Sequence, residues 1–160
     1  QIAKHIGATV FAVTAGAEKA GRVRELGADH VIDRLESDFS KEVWKATDKR
    51  GVDLAFDSVG EAVWPDLLRC LARGGRLVSY GATTGPAGRV DIRLTFWKQL
   101  QVTGTTMSSV SEFEEVMSLV LERKLKPVID VVLPLEQARE AHQRLEAGDA
   151  FGKIVLDLSL

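Results

Sequence analysis

The sequence holds one cysteine, Cys70, and it stands inside an apolar stretch. A lone thiol builds no disulfide framework, and the single cysteine with three histidines shows no metal-ligand spacing. Cys70 is therefore expected to be a small buried core residue. An excess of one charge is also missing. Twenty-one basic and 23 acidic residues leave a formal net charge of −2, with the signs interspersed. That pattern offers no basic face for nucleic acid and no basic amphipathic helix for a membrane surface. No apolar run approaches the roughly 20 residues a spanning helix needs. The opening Gln1-Ile2-Ala3-Lys4-His5 lacks a signal-peptide layout, so the expected compartment is the cytoplasm. Internal repeats and low-complexity segments are absent, and so is an initiator methionine. Gln1 to Gly7 read as the last turns of a helix closed by glycine, so the chain is expected to open inside an element.

What is present is a near-average apolar content in 160 residues, enough to bury one core. Residues 8 to 14 form a continuous apolar run, as expected of a buried parallel strand covered on both faces. Ala20, Val23 and Leu26 then share one helical face, stopped by Gly27. His30-Val31-Ile32 is a short strand, Phe39, Val43 and Trp44 mark a helix, and residues 52 to 57 are a strand apolar up to its carboxyl end. Trp64, Leu67, Leu68 and Leu71 fall at helical spacing, Gly74-Gly75 turns the chain, and Arg76 to Gly81 is the next strand. A loop rich in Gly, Pro and Thr runs from Thr83 to Asp91, with a short helix near Leu94 to Lys98 after it. A strand over 100 to 105 follows. Ser111 and Glu114 read as a capping box for a helix carrying Phe113, Val116, Met117, Val120 and Leu121, in a unit ended by Pro127. The remainder reads as strand (128 to 133), helix (135 to 146, stopped by Gly148) and strand (154 to 158).

Strands alternating with helices of about ten residues imply crossover units and an open parallel sheet. The expected fold is thus α/β, a doubly wound Rossmann-like sheet. Ligands of such sheets bind at the carboxyl ends of the strands. Those ends read Thr14-Ala15-Gly16, Asp33-Arg34, Asp57-Ser58-Val59-Gly60, Gly81-Ala82-Thr83-Thr84 and Thr105-Thr106-Met107. Small residues recur at four of the five, where a flat, extended ligand could approach the backbone. Turn chemistry explains any one of them. Taken together they favour a dinucleotide site.

Ile2-Ala3-Lys4, Gly7-Ala8, Glu18-Lys19-Ala20 and Glu25-Leu26-Gly27-Ala28-Asp29-His30-Val31-Ile32 resemble the nucleotide-binding domain of medium-chain dehydrogenases and reductases. So do Asp57-Ser58-Val59-Gly60, Gly74-Gly75-Arg76-Leu77-Val78, Lys124-Leu125-Lys126-Pro127 and Phe151-Gly152-Lys153-Ile154-Val155-Leu156. The likeness spans essentially the whole chain. Within the family it points to the zinc-type alcohol dehydrogenase-like and quinone oxidoreductase-like branches. The family's glycine-rich fingerprint is not found, since neither Gly81 to Gly85 nor Gly85-Pro86-Ala87-Gly88 has its spacing or its place between a strand and a long helix. The resemblance would put that fingerprint, the first strand and any catalytic zinc ligands upstream of Gln1. It implies a nucleotide-binding domain over 1–126, truncated at its N-terminus, and a strand-helix-strand segment over 127–160 that returns to the substrate domain.

An NAD site usually carries Asp or Glu at the end of the strand after the fingerprint helix, where it accepts both ribose hydroxyls and repels a 2′-phosphate. Here the position reads Thr14-Ala15-Gly16. Lys19 and Arg34, which the resemblance puts near the adenosine ribose, could instead pair with a phosphate, so NADP(H) is expected over NAD(H). The competing reading makes both cations solvated surface charges, with Glu18 beside Lys19 in its favour. By the same resemblance Ser58, Val59 and Gly60 would line the adenosine or ribose side. Gly81, Ala82 and Thr83 would approach the nicotinamide ribose, and Thr105, Thr106 and Met107 the carboxamide, with Lys153 a weaker candidate. No catalytic residue and no metal ligand is assigned within the chain, because in this family the cofactor carries the hydride. His142 reads as an ordinary packed histidine. The implied activity is hydride transfer between NADPH and a small-molecule carbonyl, quinone or activated alkene, with zinc alcohol dehydrogenase and a non-catalytic dinucleotide-binding or assembly module as alternatives. The strand over 101–105 would be a sheet edge through which a homodimer forms.

Overall fold

A computed structural model describes residues 1–159 of the chain. They form two compact units, Thr9–Ser108 and Gln1–Ala8 with Ser109–Leu160. The first unit runs β1 (Phe11–Thr14), α2 (Ala17–Glu25), β2 (His30–Asp33), α3 (Phe39–Ala46), β3 (Val52–Asp57), α4 (Trp64–Cys70), β4 (Leu71–Ser79), α5 (Ile92–Lys98) and β5 (Gln101–Gly104). Each neighbouring pair of strands is parallel: β1 with β2, β3 with β4, and β4 with β5. Strand, helix and parallel strand therefore alternate as the hydrophobic pattern implies, and the fold is Rossmann-like α/β. The ladder is nevertheless in two pieces, of two and three strands, and β1 and β3 each have a free edge.

Two apolar clusters hold this unit together. Ile32, Phe39, Val43 and Cys70 are buried, with Phe11, Val52, Val63 and Leu67 packed on them. Leu68, Leu71 and Leu77 form the second, against Ala55, Trp64, Leu94 and Leu100. Burying each such leucine contributes about 1.5–3 kcal/mol. The helix starts are set by side-chain caps. Asp38 accepts hydrogen bonds from Ser40 N at 3.0 Å and Lys41 N at 3.3 Å, and Asp91 accepts one from Leu94 N. Helix α2 stops at Gly27, whose φ of +97° only glycine adopts without strain.

The second unit contains α1 (Ile2–His5), α6 (Val110–Leu121), β6 (Ile129–Pro134), a 3₁₀ turn (Leu135–Gln137), α7 (Ala138–Ala147) and β7 (Lys153–Asp157), with β6 and β7 parallel. The Gln1 side-chain amide donates to Lys126 O and accepts from Lys126 N, both at 2.9 Å.

Several expectations shift. The strand from residue 8 starts at Phe11 and is only half-buried, and in β3 Leu54 and Phe56 are exposed, because both strands lie at ladder edges. Gly74 and Gly75 do not separate α4 from the next strand. Leu71 already pairs with Val52, and the pairing resumes at Leu54 with Arg76, so the glycines form a bulge inside β4. The capping box is Ser109 with Glu112, two residues before the expected pair: Ser109 Oγ accepts from Glu112 N, and Glu112 Oε2 accepts from Ser109 N at 2.7 Å. Ser111 falls inside the first turn instead. His142 is exposed rather than packed, since Ala141 takes the buried place on α7.

Candidate functional site

The candidate site is built from the turns that leave the carboxyl ends of the strands in the Thr9–Ser108 unit. After β1, Thr14, Ala15 and Gly16 turn into α2, with Lys19 in its first turn, partly buried. Gly16 has a φ of +91°, and a Cβ built on it would meet nothing within 4 Å, so the backbone here is open to a ligand. Arg34 follows β2 with its side chain exposed, and its N–H donates to Thr14 O at 2.9 Å. The neighbouring Asp33 accepts from Gly16 N and from Leu35 N, each at 3.0 Å. Those two peptide N–H groups, Gly16 first, hold the Asp33 carboxyl below its usual range.

A second group is tied more tightly. Asp57, 4 % exposed, ends β3 and accepts from Val59 N at 3.0 Å and Gly60 N at 2.9 Å. That fixes the turn holding Ser58, Val59 and Gly60. The loop after β4 is sewn onto it. Thr83 Oγ1 and N both donate to Ser58 O, Thr84 Oγ1 and N both donate to Val59 O, and Ala62 N donates to Thr84 Oγ1. Gly60 has a φ of +85°, and a Cβ there would lie 2.7 Å from Gly85 O, so a side chain would force the two loops apart.

Gly81 and Ala82 also line an open depression of about 580 Å³ with Ser79, Tyr80, Gly104, Thr105 and Thr106. A Cβ on Gly104 would again meet open space. Met107 stands beyond it, 92 % exposed with a φ of +58°. The structure thus joins the 58–60 turn with the 81–83 loop, and that loop with Thr105 and Thr106. Thr14 to Gly16 and Arg34 meet separately at the end of the β1–β2 ladder, Lys19 stands on the first turn of α2, and Lys153 belongs to the other unit. Asp33, Asp57 and Thr84 stand in the strand-end sets of the sequence, but their part in holding the turns was not foreseen. The signal available was an acidic residue ending an apolar strand, with Gly three positions on at Asp57, which marks a carboxylate folded back on its own turn.

The depression and the bare glycine backbones suit a flat nucleotide that offers acceptors to peptide N–H groups. Among the described residues no three His, Cys, Asp or Glu side chains gather to hold a metal ion.

Parallel strands with small-residue turns at their carboxyl ends put the chain in the class of Rossmann-like α/β proteins. Residues 26–156 match the sequence profile of the zinc-binding dehydrogenases, and the chain belongs to that family, among the medium-chain dehydrogenases and reductases. It is 32 % identical over 158 residues to acryloyl-coenzyme A reductase of Sulfurisphaera tokodaii, covering 98 % of this chain and 45 % of that protein. Quinone oxidoreductase of Pseudomonas aeruginosa is 30 % identical, with 98 % of this chain and 51 % of that protein covered. A crystal structure of an NAD-dependent alcohol dehydrogenase superposes with a TM-score of 0.92 at 38 % identity, over 98 % of this chain and 46 % of that one. The chain spans about half the length of the curated relatives it matches.

Proposed function

We propose that the chain is the cofactor-binding portion of an oxidoreductase that moves hydride between NADPH and a small-molecule carbonyl, quinone or activated alkene. The observation that carries this reading is the run of small-residue turns, two of them stitched together, along the carboxyl ends of β3, β4 and β5. Ser58, Val59 and Gly60 would hold the adenosine or ribose side, Gly81, Ala82 and Thr83 the nicotinamide ribose, and Thr105, Thr106 and Met107 the carboxamide. The bound dinucleotide supplies the hydride, while the residues here orient it and keep its ring within reach of substrate. No group of this chain is assigned a proton-transfer step. Preference for the 2′-phosphate rests on Lys19 and Arg34 beside a turn, Thr14 to Gly16, that has no carboxylate of its own.

The free edges of β1 and β3 support a further part of the reading, that in the intact protein a preceding strand with the glycine fingerprint lies between them, giving a nucleotide-binding domain up to 126. Residues 127–160 would then lead back to a substrate domain, in a cytoplasmic homodimer paired through 101–105. Zinc-dependent alcohol dehydrogenase is a second reading, favoured by the 35 % identity to an NAD-dependent alcohol dehydrogenase of Sulfolobus acidocaldarius. Its metal ligands would come from outside this chain. Calorimetric titration of the full-length protein with NADPH and NADH tests the assignment. NADPH is expected to bind at least about tenfold tighter. Equal affinities, or a preference for NADH, would overturn the role given to Lys19 and Arg34.

A further inference from the structure

We propose that Asp33 is a positioning residue for the adenosine end of the dinucleotide, acting through the peptide N–H of Gly16; the inference rests on the cofactor reading above. Helix α2 begins at Gly16, which has no side chain with which to cap it. The conformation of the turn must therefore be held from elsewhere, and Asp33 holds it. Asp33 lies opposite Thr14 in the parallel ladder. From there one oxygen, Oδ1, takes the N–H of Gly16, 17 residues earlier, and the N–H of Leu35, two residues later. The next peptide completes the connection, since Arg34 N donates to Thr14 O. One carboxylate oxygen thus sets the relative placement of the turn that leads to Lys19 and the loop that carries Arg34.

The same geometry explains how an acid can stand among groups assigned to a phosphate. Two peptide N–H dipoles point at the carboxylate oxygen and offset its charge locally, so it can hold the turn while repelling an incoming anion less than an unpaired carboxylate would. The lowered proton affinity of Asp33 agrees with that arrangement. What the turn needs is an acceptor at Oδ1 rather than a charge, because an asparagine carbonyl can receive the same two hydrogen bonds.

The test uses the full-length protein and its Asp33→Ala and Asp33→Asn variants, with the dissociation constants of NADPH and 2′,5′-ADP, thermal midpoints, and steady-state kinetics in NADPH. Asp33→Ala is expected to weaken both ligands about tenfold, the upper scale of one ordinary hydrogen bond lost from the turn, and to raise KM for NADPH with kcat at saturation unchanged. Asp33→Asn is expected to stay within about threefold of wild type in affinity and to keep its thermal midpoint, while the midpoint of Asp33→Ala falls by no more than a few degrees and the variant stays folded at the assay temperature. Wild-type binding with no loss in Asp33→Ala, or a change in Asp33→Asn as large as that in Asp33→Ala, overturns the role of Asp33 and leaves the cofactor reading standing. Failure of wild type to bind NADPH or 2′,5′-ADP overturns the cofactor reading itself.

Discussion

Cys70 shows how far burial alone can silence a reactive group. Its side chain is 3 % exposed, between α3 and the end of β2, and burial foremost pushes the thiol up to about 12. A pKa raised in the folded state stabilises the fold fully below the unfolded thiol's value of about 8.5, and that contribution is lost as pH rises from there towards the folded value. Cys70 is accordingly expected to resist a disulfide reagent at neutral pH until denaturant unfolds the chain. Labelling of the native protein at the rate of a free thiol would contradict this. Arg34 offers the opposite kind of test, at an exposed position. Arg34→Ala is expected to weaken NADPH about tenfold while leaving NADH within about twofold, because only the former carries a 2′-phosphate. Calorimetry on both cofactors reads the difference directly.

At the scale of elements, the stability of the site rests on a few side chains that close turns. Asp57→Ala removes the acceptor for two N–H groups at a buried position and is expected to cost about 2–4 kcal/mol in chemical denaturation. Gly60→Ala combines an overlap with Gly85 O and an unfavourable φ, so it is expected to lower cofactor affinity as well as stability. Lys98 serves the far end of α4. Its ammonium donates to Arg69 O and Leu71 O, at 3.0 and 2.6 Å, and lies 5.1 Å from the centre of the Trp44 ring. Lys98→Met keeps much of the aliphatic stem and is expected to cost about 1–3 kcal/mol through the carbonyls it leaves unpaired. The order and type of these elements were legible from apolar spacing. The capping box was misplaced by two residues because Ser109 and Ser111 both stand three before an acidic residue, and only the start of α6 at Val110 decides between them. The stitches from Thr83 and Thr84 were not legible, since they bridge about 25 positions and depend on two strands being neighbours.

At the scale of the whole molecule, the edges of its strand ladders are where a further chain could add. Gln101–Gly104 is exposed at every position and forms the outer strand of its ladder, with unpaired peptide groups facing outward. Thr105 N donates to Ser79 O, so strand alternation turns the N–H groups of Gln101 and Thr103 to β4 and that of Val102 outward. If two copies pair there, Val102→Pro, which takes away an outward-facing backbone donor, is expected to turn a dimer into a monomer in sedimentation or light scattering. A wild-type monomer at high protein concentration would end that proposal. No helix among the described residues is long and apolar enough to cross a membrane.

Local physics was enough for the alternation of strands and helices, the glycine stops at Gly27 and Gly148, and the strand ends where a nucleotide could lie. Apolar period and left-handed turns are written in neighbouring residues. Tertiary structure alone decided that the ladder is divided between β1 and β3, that Asp57 and the two threonines join separate loops, and that Asp33 reaches back to Gly16. Such hydrogen bonds link residues distant in the chain, and they form only once parallel pairing has brought the ends of the strands side by side.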